Sequence, residues 1–211
     1  MSDVRVVRQS CLGGRIASQV EAIYLASFPP CEREAFSELA NGVKKGDELA
    51  FIAEEGNVVG FALVQRLSGA GVFLLGYMAV AGERRGRGIG STLLQYVARD
   101  LRRRENAEGL LIEVEPPDEG PDDELDLRRR RIEFYRRHGA QVIAEAGSYR
   151  MPDLSGEGSL EMRLMWLALG TDGRMLSGQK LRDIIVSIYK DSYGRPEDDP
   201  LLRSVLQGMT M

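Results

Sequence analysis

The residues Arg85-Gly86-Arg87-Gly88-Ile89-Gly90 set three glycines at alternate positions, the first of them between two arginines. Glycines at such a point let the backbone come close to a ligand, and the first turn of a following helix has N–H groups with no partner of their own. The chemistry that fits this pattern is anion binding, with phosphate the leading candidate. Two familiar phosphate motifs fail on spacing. A P-loop needs Gly-Lys-Ser or Gly-Lys-Thr, and no lysine occurs here. A dinucleotide fingerprint needs G-x-G-x-x-G, whereas the run is G-x-G-x-G. A pyrophosphate site and a glycine-rich turn with a solvated arginine rim are the two readings left.

The elements that must position this loop can be read on either side of it. Val72 to Val80 is short, rich in β-formers and bounded by Gly71 and Gly82, which predicts a buried strand feeding the loop. From Ile89 onward, Ile89, Leu93, Leu94, Val97 and Leu101 fall on one helical face, with Arg99, Arg102, Arg103 and Arg104 on the other. Upstream, Val4 to Val7 reads as a strand, and Arg15 to Phe28 as a helix stopped by Pro29-Pro30. Cys31 to Val43 reads as a second helix, and 49–54 with 58–67 as a hairpin around Glu55-Gly56-Asn57. Downstream, Leu110 to Glu115 is a strand whose two-residue period puts Leu111, Glu113 and Glu115 on one face. The acidic stretch PPDEGPDDELD reads as a loop, 127–138 as a helix ended by Gly139, and 141–146 and 160–169 as two strands. Beyond Gly170, Leu181, Ile184, Ile185, Ile188 and Tyr189 form the stripe of a further helix, and 201–206 a last short one.

The chain of 211 residues is enough for one domain plus an extension. Its net charge of −4 argues against nucleic acid as a partner, with the runs Arg102 to Arg104 and Arg128 to Arg131 as counter-evidence. Cys11 and Cys31 set neither a disulfide framework nor metal-ligand spacing, so no metal is expected. The charged opening and the lack of a long apolar run predict a cytoplasmic protein with no membrane segment.

The glycine run fits R/Q-x-x-G-x-G/A, preceded by Met78-Ala79-Val80 and followed by Ser91-Thr92-Leu93-Leu94. This string resembles the acyl-CoA loop of the GNAT superfamily, the coenzyme A-dependent N-acyltransferases. The order of predicted elements resembles the same fold: α/β (α+β), a mixed, mostly antiparallel central sheet flanked by helices, over residues 1–170. Residues 171–211 would then be a helical extension packed on that domain, in a monomer or a homodimer. The resemblance implies acetyl-CoA as acyl donor, bound by the backbone of Met78, Ala79 and Val80 and by Arg85, Gly86, Arg87, Gly88, Ile89, Gly90, Ser91 and Thr92. It extends to Phe134-Tyr135-Arg136-Arg137-His138-Gly139-Ala140, where the family's tyrosine protonates the departing thiolate; the matching residue is Tyr135.

Two positions depart from the family. An asparagine and an alanine common there are Arg128 and Arg131 here. Arg128 is a candidate for a coenzyme A phosphate, and four consecutive arginines are equally a solvated face paired with acids. For the base that deprotonates an incoming ammonium, Glu113 and Glu115 are preferred and Glu32 is a third candidate, each with a structural alternative as an ion-pair or helix-start residue. His138 is better placed for the helix C-terminus than for catalysis. The acidic run Asp118, Glu119, Asp122, Asp123, Glu124 and Asp126 is either a rim that concentrates cationic amines or a solvated excursion. The expected function is transfer of an acetyl group to a primary amine, on a small molecule or a peptide, by direct attack. The alternative is a GNAT-fold module that binds coenzyme A or another phosphate ligand without turnover.

Overall fold

The computed structural model describes residues 4–68, 71–118, 121–170 and 173–209; Glu119 of the acidic run lies outside them, and of Asp122 and Asp123 only the backbone is described. The chain divides into two compact units: Met1–Arg66, Leu75–Arg103 and Leu154–Gly156 form one, and Leu67–Leu74, Arg104–Asp153 and Glu157–Met211 the other. Seven strands belong to a mostly antiparallel sheet with flanking helices, the mixed α/β class expected from the sequence.

In the first unit, β1 (Arg5–Gln9) leads into α1 (Gly14–Ser27), a single 3-10 turn at Pro30–Glu32 and α2 (Phe36–Lys45). Then β2 (Glu48–Glu55) and β3 (Asn57–Arg66) form the expected hairpin, turned by Gly56 at φ +74°. The strand β4 (Val72–Val80) runs into this unit, followed by a 3-10 turn at Gly82–Arg84 and α3 (Ile89–Arg102). Its strands lie in the order β1-β2-β3-β4, with β1–β2 and β2–β3 antiparallel. The two-residue period of β2 sorts its neighbours. Ala50 and Ile52 join Val20, Tyr24, Leu39 and Val43 of α1 and α2 in one apolar cluster, while Phe51 points the other way and meets the Tyr96 ring of α3 at 6.1 Å.

In the second unit, β5 (Gly109–Val114) is followed by α4 (Asp122–Arg137), β6 (Gln141–Val142) and a 3-10 turn at Ala144–Ala146. Next come β7 (Arg150–Pro152), β8 (Ser159–Glu161), β9 (Arg163–Ala168), α5 (Gly178–Asp191) and α6 (Pro200–Gly208). The order is β5-β9-β6, antiparallel throughout, and β7–β8 form a separate antiparallel ribbon. Gly109 is required here: a Cβ would lie 2.2 Å from the buried Trp166 ring. The indole Nε1–H donates to the Arg174 carbonyl at 2.9 Å. The whole apolar stripe expected of α5 is buried.

Four boundaries differ from the sequence expectation, the first being the second helix, which begins at Phe36 rather than Cys31 because Pro30–Glu32 forms its own 3-10 turn. The acidic stretch is not all loop, because α4 begins at Asp122, five residues early. Pro121 precedes it in an extended conformation and acidic residues open the helix, where the dipole favours them. Only Gln141–Val142 of 141–146 is strand, since Ala146 N–H turns back to the Ile143 carbonyl at 3.2 Å. The single strand expected over 160–169 breaks at Met162, whose N–H goes to the Tyr149 carbonyl at 2.9 Å, one register step beyond the Arg150–Glu161 pair of the β7–β8 ribbon.

Candidate functional site

The glycine loop lies in the first unit. Gly86 and Gly88 take φ +75° and +80°, a conformation that side-chain-bearing residues adopt at a cost. A Cβ at either would meet nothing within 4 Å, so backbone conformation, not crowding, demands glycine, and the space above the loop is open. Gly88 is the N-cap of α3, and its carbonyl accepts the first helical bond, from Thr92 N–H at 3.0 Å. The Thr92 hydroxyl lies 3.3 Å from the same carbonyl. The N–H groups of Ile89, Gly90 and Ser91 precede that first bond and are left for a ligand. Beneath the loop, Gly60 of β3 lets the end of β4 and the start of α3 approach: its Cβ would sit 3.0 Å from the Ala79 carbonyl and 3.6 Å from Ile89 Cγ2.

The two loop arginines differ in use. Arg85 folds back, Nε donating to the Val80 carbonyl at 3.1 Å and Nη2 reaching Ser27 Oγ at 3.5 Å, so it braces the loop against β4 and α1. Arg87 is exposed. Met78 and Val80 are half-buried and Ala79 is buried. A tyrosine pair that sequence spacing did not single out holds the turn between α1 and α2. Tyr77 donates to the Glu32 carbonyl at 3.1 Å and accepts from Glu34 N–H at 3.2 Å, and Tyr24 donates to the Glu34 carbonyl at 3.0 Å. The rings of Tyr24 and Tyr77 meet edge-on at 4.9 Å.

The remaining candidates lie in the second unit. Tyr135, on the last turn of α4, is buried, and burial pushes its phenol up to about 12 against a smaller opposing effect of Arg131. Its ring packs on Phe134, and its hydroxyl makes no hydrogen bond among the described residues. Gly139, at φ +91°, ends the helix as expected, and His138 Nδ1 lies 2.8 Å from the Phe134 carbonyl.

Glu113 and Glu115 share a face by sequence and have different surroundings. Glu115 is ion-paired with Arg131 and lies 3.5 Å from Arg128 Nε. Arg128 also reaches Glu124 at 2.7 Å, which places it between two carboxylates. The two positions that depart from the family pattern therefore meet at one acid. Glu113 has no arginine or lysine partner among the described residues. Its Oε1 accepts from the hydroxyls of Tyr149 at 2.5 Å and Tyr193 at 2.6 Å, and burial pushes its carboxyl up while both phenols oppose the rise. Neither tyrosine was legible as a site residue, because each stands far along the chain from Glu113 with no spacing to mark it.

Residues 46–139 match the family described as the acetyltransferase (GNAT) domain. These residues form a GNAT domain. The match takes in the loop, both strand glutamates, Arg128 and Tyr135. Among solved structures, the chain is similar to a GNAT-family acetyltransferase of Bacteroides thetaiotaomicron, at 23% identity and TM-score 0.69, covering 85% of this chain and 92% of that one. It is similar to the ribosomal-protein-S18-alanine N-acetyltransferase of Escherichia coli at 18% identity and TM-score 0.56, covering 83% and 97%. An aminoglycoside 6'-N-acetyltransferase complexed with coenzyme A is 17% identical with TM-score 0.61, covering 79% and 97%. Identities this low carry the fold alone. No curated protein matches the chain. Among the described residues, no helix of the GNAT domain or of the segments around it is long and apolar enough to cross a membrane.

Proposed function

We propose that this chain is an N-acetyltransferase that moves an acetyl group from acetyl-CoA to a primary amine by direct attack. The observation that carries this reading is the left-handed Gly86 and Gly88 turn, which opens the N-terminus of α3 to an anion inside a GNAT domain. In this reading the N–H groups of Ile89, Gly90 and Ser91 hold the pyrophosphate, with the positive end of the helix behind them. Backbone groups of Met78, Ala79 and Val80 hold the pantetheine arm. The complex of the aminoglycoside enzyme with coenzyme A supports this donor.

Attack of a neutral amine on the thioester carbonyl expels a thiolate, which needs a proton. Tyr135 supplies it: burial keeps its phenol protonated across the neutral range, and no internal acceptor competes for that hydrogen. Glu113 is the base that takes a proton from the incoming ammonium. Glu115 suits that task less well, since its carboxylate is engaged by two guanidinium groups.

The test is the thermal unfolding midpoint with acetyl-CoA, ATP or NAD at equal concentration, followed by thiol release with spermidine, kanamycin, a lysine-containing peptide and a peptide with N-terminal alanine. Ligand at a hundred times its Kd adds about 2.7 kcal/mol, a visible upward shift. A shift with acetyl-CoA alone, then thiol release with one amine, is the expected outcome. No shift, or an equal one with ATP, refutes the loop assignment. A shift without thiol release from any amine favours a coenzyme A-binding module without turnover.

A further inference from the structure

We propose that Tyr149 and Tyr193 are positioning residues that hold Glu113 by one oxygen and leave the other for the acceptor's proton, so that the segment after α5 completes the base. This rests on the reading of Glu113 as the base.

Each phenol has a single O–H to give. Both are given to the same atom, Oε1, at 2.5 and 2.6 Å, the separations of a hydroxyl donating to an ionised carboxylate. Oε2 makes no hydrogen bond among the described residues, nor is it one of the fully enclosed atoms left without a partner. Neutral donors suit a base, because they fix the carboxylate without the opposite charge that would quench its affinity for a proton. Glu115, two residues on, has the opposite environment. In the step assigned here, a proton passes from the acceptor ammonium to Glu113 Oε2, the carboxylate becomes neutral, and both phenols keep their hydrogens.

The placement of Tyr193 is built into the end of α5. Ser192 N–H closes the last turn on the Ile188 carbonyl at 2.9 Å, and Arg195 N–H returns to the Tyr189 carbonyl at 2.8 Å, which holds Tyr193 between them. Tyr189 stands behind the pair. Its ring is perpendicular to those of Tyr193 at 5.7 Å and Tyr149 at 6.4 Å, and its hydroxyl donates to the Arg150 carbonyl at 2.5 Å. At its other end α5 is tied to the start of β5 by the Lys180–Glu108 ion pair. The C-terminal segment therefore delivers one of the two hydroxyls on which the carboxylate rests. Among the described residues, the ionisable groups that act on Glu113 are Tyr149 before β7 and Tyr189 and Tyr193 at the end of α5.

The experiment uses the full chain and the variants Tyr193→Phe, Tyr149→Phe and Glu113→Gln. The carboxyl infrared band that Glu113→Gln removes reports the titration of Glu113, and its midpoint is compared in each tyrosine variant. Removing one donor to the charged form should move that midpoint upward by about one pH unit. With the best amine of the screen, the ascending limb of the kcat/KM profile should move by the same amount, with thermal midpoints near wild type because phenylalanine keeps the ring packing. An unmoved carboxyl titration, or a moved titration with an unmoved kinetic limb, overturns the inference. If Glu113→Gln keeps the wild-type rate and limb, the base reading itself fails, and the infrared titration alone then reports on the clamp.

Discussion

Glu48 opens β2 with a carboxyl group whose Oε2 is fully enclosed and has no hydrogen-bond partner among the described residues. The backbone of α2 covers it closely: a Cβ on Gly42 would fall 3.3 Å from Glu48 Cγ and Oε1. Burial first, then the charges of Glu34 and Asp47, push this carboxyl from 4.5 up to about 8. Below pH 4.5 both folded and unfolded chains are protonated here, and the group adds no pH dependence. Between 4.5 and about 8 the folded chain keeps a proton that the unfolded chain has released, so stability falls as pH rises; above about 8 the penalty is constant. A gap of roughly 3.5 pH units at about 1.4 kcal/mol each sets a ceiling of about 5 kcal/mol, and partial exposure brings the expected value to about 2–5 kcal/mol. Glu48→Gln removes the ionisation, although its amide leaves an unpaired donor that costs about 1–3 kcal/mol at every pH. The diagnostic quantity is therefore the difference between variant and wild type, from urea unfolding followed by circular dichroism at pH 5, 7 and 9. That difference should move in favour of the variant by about 2–4 kcal/mol from pH 5 to pH 9. A difference that stays flat over this range would refute the reasoning, whatever its absolute size.

Other consequences are open to direct measurement. Tyr135→Phe should lower kcat by about 10²-fold or more at unchanged melting temperature; an unchanged rate would remove the phenol from the mechanism. Gly88→Val forces a β-branched residue to φ +80°, at about 1–2 kcal/mol of stability. It should abolish the acetyl-CoA-induced rise in melting temperature, while the circular dichroism spectrum stays that of the parent. Retained ligand stabilisation would mean that the loop is not the phosphate cradle.

The elements legible in the sequence were those whose cause is local. β4 begins and ends at the predicted residues, because a run rich in β-formers, interrupted by Gly76, lies between Gly71 and Gly82. The α3 start at Ile89 follows from the change of hydrophobic period after Gly88. Partner-dependent features were not legible. Nothing in 160–169 marks Met162 as the residue whose amide turns to Tyr149, and that bond is what divides β8 from β9. The candidate site divides along the same line. Glycines with positive φ can be read from spacing, and Glu113 from the alternation of β5. The two phenols that distinguish Glu113 from Glu115 are brought to it only by the fold, from 36 and 80 residues away. The double departure at Arg128 and Arg131 was visible as substitutions, and an ion pair was the alternative reading of Glu115; that both arginines meet at that one acid was not legible.

Trp166 is the only tryptophan in the chain, and it lies buried on β9 over Gly109 with its indole N–H bonded to the Arg174 carbonyl. The fluorescence of this protein is thus a private signal of one compact unit. The other, which holds the glycine loop and Glu48, contributes no indole emission. Emission and far-ultraviolet dichroism recorded in a single denaturant titration would coincide if the two units unfold together, and would separate, with the loop-bearing unit silent in the emission, if they do not.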